Sequence, residues 1–167
     1  YPRAARETMN MKRALTARDF DVVAPKGRNQ VDVRVIGVIE NQAPTKALQK
    51  TLKVESGLVE MDRAGDVCQI ALVERHKATG KVVNAFVSGF GYTKDCALAS
   101  TVAHDSHHMI VVGTNKEDMA QAANILKDIG GGLVLVSEGK ELARVEMPIA
   151  GLMSDERAEI VAAKAGR

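Results

Sequence analysis

The sequence predicts a mixed-sheet α/β or α+β domain, with a βαβ unit near residues 109–137 and a terminal helix. Three observations predict it. Strand-like segments come in a run between Val31 and Val87; one strong helical period occupies Met119, Ala122, Ala123, Leu126 and Ile129; and short apolar runs, Met109 to Val112 and Leu133 to Val136, flank that period. A run of strands followed by a strand-helix-strand unit favours a mixed sheet covered by helices.

Residues 1–28 are rich in charge, include Pro2 and Pro25, and hold no sustained period. A short helix over Ala4 to Met11 and a small strand at Asp21 to Val23 are the most this leader offers, so it needs something to pack on, namely the missing part of a longer parent. An opening Tyr1 in place of Met also reads as a fragment. The domain proper spans 29–167. Val31, Val33 and Val35 alternate with Asp32 and Arg34, a strand with one buried face that runs on through Ile39. Lys46 to Val54 is a weaker strand. Val67 to Val73 and Val82 to Val87 form an antiparallel hairpin around Thr79-Gly80.

Cys96 to Thr101 is a segment of small residues, and Met109 to Val112 is a buried strand ending at Gly113. Thr114 with Glu117 matches a capping box for the helix that follows. Gly130-Gly131-Gly132 ends that helix, because glycine takes the left-handed conformation without steric cost. The two flanking strands should then be parallel and joined by a right-handed crossover. Leu142 to Val145 is a further strand, and a last helix begins at Ser154, with Asp155 and Glu156 in its first turn, and ends near Gly166.

Composition bounds the function. A chain of 167 residues, 46% hydrophobic and 26% charged, supports one domain with a core, and only five aromatics (Phe 3, Tyr 2, Trp 0) make that core aliphatic. A net charge of +2 without like-charge blocks argues against nucleic acid and membrane surfaces as partners, and no apolar run reaches transmembrane length. Cys68 and Cys96 are isolated, which points to a reducing cytoplasm. Gly89 and Gly91 begin a G-x-G that Lys94 leaves incomplete as a dinucleotide fingerprint, and the glycine triplet follows a helix where phosphate binding needs one to precede it.

Chemistry concentrates in one stretch. His104, His107 and His108 are three of the four histidines, and they share five positions with Asp105 and Ser106 at the entrance to a buried strand. Imidazole titrates near neutrality and is a common metal ligand. His104 beside Asp105 has the composition of an oriented acid-base pair. The alternative is a hydrogen-bonded, partly solvated loop without chemistry. His104, His107 and His108 are weak candidates for a metal site, since adjacent residues in a strand point to opposite faces and no H-E-x-x-H or H-x-H is present. Ser106 lacks an elbow motif. His76 stands alone at a strand end.

The stretch G-F-G-Y-T-K-D-C-A-L-A-S-T-V-A-H-D-S-H-H-M-I-V-V-G-T-N from Gly89 to Asn115 resembles the carboxyl-terminal domain of adenine deaminases of the amidohydrolase superfamily. So do I-G-G-G-L-V-L-V from Ile129, M-P-I-A-G-L-M-S-D-E from Met147, and R-A-L-T-A-R-D-F from Arg13. The resemblance implies a parent hydrolase that converts adenine and water to hypoxanthine and ammonia. It also implies one or two divalent metals (manganese, iron or zinc) in a β/α barrel that these 167 residues do not contain. This domain would then be inactive alone and hold no metal of its own. His104 and Asp105 would contact substrate or support the site, His107 and Ser106 would bind substrate or hold the loop, and His108 ranks lowest. The expected setting is a cytoplasmic homo-oligomer, with adenine and the missing barrel as partners. Two other classes stand beside this reading: a small-molecule-binding or oligomerisation module without catalysis, and a zinc-binding structural domain.

Overall fold

The computed structural model describes residues 1–166. Nine strands form one mixed sheet in the order β3-β2-β1-β5-β4-β7-β6-β8-β9. In chain order these are β1 (Gln30–Gly37), β2 (Lys46–Glu55), β3 (Leu58–Val59), β4 (Val67–Val73), β5 (Val82–Ser88), β6 (Cys96–Ser100), β7 (Met109–Gly113), β8 (Gly132–Ser137) and β9 (Lys140–Glu146). The helices are α1 (Arg3–Arg6), α2 (Lys116–Ile129) and α3 (Ala158–Ala165). The predicted hairpin is β4 paired antiparallel with β5, from Val67 opposite Ser88 to Val73 opposite Val82.

The small-residue segment before the histidines is a central strand. β6 pairs antiparallel with both β7 and β8, so those two strands are parallel, as the strand-helix-strand unit predicts, but with β6 between them. Its composition explains the position. Ala97 and Ala99, fully buried, leave room for α2 to lie close to the sheet, where Met119, Ala122, Ala123 and Leu126 meet them in the main core. Large side chains on β6 would hold the helix away.

Three boundaries differ from the sequence expectation. The cap of α2 is Asn115, whose side chain accepts from the Asp118 amide at 2.7 Å, while the Thr114 hydroxyl accepts from the Cys96 amide at 3.0 Å. Thr114 is thus taken up by the neighbouring strand. α3 begins four residues later than Ser154, because the Ser154 hydroxyl accepts from the Glu156 amide at 3.2 Å in a turn ahead of the helix. In the leader, α-helix is confined to Arg3–Arg6, a 3-10 turn follows at Ala17–Phe20, and the strand at Asp21 to Val23 is a single bridge from Val23 to Leu58.

Much of the leader's apolar surface finds cover within this chain. Leu15 and Phe20 join the main core, and Ala24 joins a second cluster with Val35, Leu52, Val67 and Phe86. Asn124 of α2 holds the Leu15 backbone from both sides, its Oδ1 accepting at 2.8 Å and its Nδ2 donating at 2.9 Å. Gln69 on β4 donates to the Phe20 carbonyl at 2.6 Å.

Candidate functional site

The histidine stretch is a loop between β6 and β7, built by its backbone. Ala103, buried, anchors it, and the Ala103 carbonyl accepts from the His107 amide at 2.8 Å. Asp105 at φ 68° and His107 at φ 48° both occupy the left-handed region, which is costly for residues with a side chain. Something must hold such a loop.

The register of the sheet supplies it. β4 and β7 are antiparallel with Val73 opposite Met109, so the chain leaving β4 is carried to the loop that enters β7. There Arg75, 1% exposed, donates from Nε to the His107 carbonyl at 2.7 Å. Its Nη2 donates to the Ala150 carbonyl at 3.0 Å, and its Nη1 to the Thr8 carbonyl at 3.2 Å. One planar guanidinium therefore joins the histidine loop, the P-I-A-G-L-M-S turn and the leader, a task that suits the fixed fork of Arg. Burial lowers the Arg75 pKa. The turn is tied in from a second side, by the Thr101 hydroxyl donating to the Gly151 carbonyl at 2.6 Å.

His76 is not alone. It is exposed, but its Nε2 lies 3.1 Å from the Ser106 carbonyl and its ring is 4.8 Å from that of His108. Burial first, and His76 second, lower the His108 pKa and favour neutral imidazole. The Ser106 hydroxyl accepts from the His108 amide at 3.3 Å, so this serine closes the loop. The Nδ1 atoms of His107 and His108 are buried without a hydrogen-bond partner.

His104 and Asp105 sit at the tip. Nδ1 of His104 and Oδ1 of Asp105 are 3.1 Å apart, and their side chains are 95% and 91% exposed. The two side chains are close neighbours presented outward from a braced loop. The larger clefts lie elsewhere; one of about 700 Å³ is lined by Val22, Val31, Thr51 and Val59 at the far end of the sheet. Among the described residues no three His, Cys, Asp or Glu side chains converge as metal ligands, so His104, His107 and His108 do not fit a divalent ion. Cys68 and Cys96 are free and buried. No helix among the described residues is long and apolar enough to cross a membrane.

The loop is held chiefly by Arg75 and, behind it, Thr8, which carry no local sign of that role, and by Ala150 of the P-I-A-G-L-M-S segment that carries the family resemblance. The available signal was E-R-H directly after an apolar strand, which gains meaning only when that strand is paired with β7.

Comparison with known proteins places these features in a family. Residues 42–167 match the model of the adenine deaminase C-terminal domain. The whole chain is 70% identical to "Adenine deaminase 3" of Rhizobium meliloti (strain 1021), covering 28% of that protein. Over 165 residues it is 71% identical to an adenine deaminase of Mesorhizobium japonicum, covering 27% of it. Over 164 residues it is 45% identical to an adenine deaminase of Moorella thermoacetica, again covering 27%. The chain thus spans little more than a quarter of the length of the curated relatives it matches, and it belongs to the adenine deaminase C-terminal domain family.

Proposed function

We propose that the chain is the carboxyl-terminal domain of an adenine deaminase and that its histidine loop borders the active site of the longer enzyme. The parent hydrolyses adenine to hypoxanthine and ammonia in the cytoplasm. We place the divalent metal of that chemistry, manganese, iron or zinc, in the remainder of the protein; among the described residues no three His, Cys, Asp or Glu side chains converge as ligands. The observation that carries the reading is the contrast between a braced loop frame and an exposed tip. Arg75 and Thr101 immobilise the surroundings, and the loop adopts costly backbone conformations to present His104 and Asp105 to solvent. Backbone strain of this kind collects at functional sites.

Asp105 lies beside Nδ1 of His104, with Oδ1 at 3.1 Å, and can orient the ring so that Nε2 meets the purine or its departing ammonia. Ser106 and His107 act through the loop, by their hydrogen bonds to His108 and Ala103. In the full-length enzyme, His104→Ala and Asp105→Ala should each lower adenine turnover about tenfold or more, with thermal unfolding unchanged. Ammonia release is the measurement, and wild-type rates in both variants would end this reading. The isolated chain is expected to release no ammonia.

A further inference from the structure

This chain covers one face of its sheet and leaves most of the other open. α2 and the leader lie on the face bearing Ala97, Ala99, Met109 and Val111, all fully buried. Alternation along the strands puts their neighbours on the opposite face. There the registers align Val83, Leu72, Ile110, Ser100 and Leu133 in a row across β5, β4, β7, β6 and β8. The next row runs from Ala85 on β5 to Leu135 on β8, and neither row holds a charged residue. On β1 and β2 the same face is polar, with Asp32 accepting from the Thr51 hydroxyl at 2.6 Å. A sheet with one wet face carries polar residues on it; two apolar faces mark a sheet covered on both sides.

Among the described residues, cover reaches only the ends of this face. Lys164 and Ala165 of α3 stand near Leu98, Leu133 and Leu135 across a gap of about 190 Å³, and Tyr92 packs with Cys68, Val87 and Val112. Between them Val83 is 47% exposed, and Leu72, Ile70 and Ile110 are partly exposed.

We infer that this uncharged face is where the domain docks on the remainder of the longer polypeptide. Nearly three quarters of the length of its relatives lies outside this chain. A surface on the same polypeptide meets the face at a high effective concentration, so it outcompetes a second copy offering equal contact. The partner surface must itself be apolar at its centre, since a charge set against these rows would be desolvated without a counter-ion. β7 leads from this face directly back to His108, so docking brings the histidine loop against the same neighbour. The inference rests on the reading of the chain as one domain of a longer deaminase.

The test is cysteine footprinting of the full-length protein by alkylation and mass spectrometry. Val83→Cys and the near-isosteric Ser100→Cys should each be alkylated about tenfold or more slowly in the native protein than after unfolding in urea, because interface cores exclude water. Alkylation of both at the unfolded rate would overturn the inference. Protection that disappears on dilution to a monomer would overturn it too, since a second copy would then be the occupant. The same protection measured with His104→Ala separates the two readings. Retained protection with wild-type turnover there and in Asp105→Ala sinks the catalytic loop and keeps the docking face, whereas lost turnover with unprotected cysteines does the reverse.

Discussion

Arg75 shows what a single residue contributes. Its guanidinium is buried and is surrounded by carbonyls of His107, Ala150 and Thr8. Removing the donors while keeping the bulk, as in Arg75→Met, strands those acceptors in the interior. The cost should be about 2–4 kcal/mol, read as a lower midpoint in thermal or urea unfolding of the full-length protein. Arg75→Lys should recover only part of it, because a single ammonium cannot span three acceptors in a plane. A midpoint equal to wild type in Arg75→Met would show that the carbonyls find other donors. The E-R-H after β4 does not by itself announce this role, because the partners of Arg75 are separated from it by 32 to 75 positions. The histidines, by contrast, were legible at once, since local composition alone sets them apart.

At the level of elements, the strands and α2 were legible because periodicity and burial agree there, as in Val67 to Val73 and Met119 to Leu126. β6 was not read as a strand, because its small residues carry little hydrophobic signal; what makes it central is the helix above it. The cap of α2 was misplaced by one residue because Thr114 and Asn115 are both good caps, and strand pairing claims the first. Asn115→Ala should therefore cost about 1 kcal/mol. The glycine triplet is conformational, as its place after a helix predicts, and one member, Gly132, differs sharply from the turn glycine Gly139. At Gly132, φ is 131° and an added Cβ would lie 1.9 Å from the Val145 carbonyl oxygen, so Gly132→Ala should prevent stable folding. At Gly139, φ is 74° with open space around it, so Gly139→Ala should cost only about 1 kcal/mol. Equal unfolding midpoints for the two variants would contradict the assignment of Gly132 to a close backbone approach.

For the molecule as a whole, acid stability draws on carboxylates held low in the folded state; Arg6 holds down Asp155, and Asp19 and Glu74 each close a turn. Asp19 is held down at about 2 chiefly by its hydrogen bond with Arg13, helped by Thr16, and so fixes the turn that buries Phe20. Burial pulls Glu74 upward, but hydrogen bonds from Thr79, Lys77 and His76 outweigh it and bring Glu74 to about 2, closing the turn between β4 and β5. An unfolded carboxylate titrates near 4. In both cases the folded value is the lower one, so the stabilisation is complete above pH of about 4 and is lost as pH falls toward 2. His108 adds an earlier step of the same sign. Its folded pKa is also depressed, so the native state resists protonation and stability declines as pH drops below the ordinary histidine value of about 6.5. Urea midpoints of the full-length protein measured from pH 7 downward should fall in these two stages. His108→Asn should remove the first stage, because a neutral amide has no proton to take up. Asp19→Asn with Glu74→Gln should lower the midpoint at pH 7 and flatten the second stage, since the variant has already lost what acid would remove. If the slope below pH 4 is unchanged in that double variant, other carboxylates carry the acid response, and the leader is held in place by its apolar contacts and the Asn124 and Gln69 hydrogen bonds without help from Asp19.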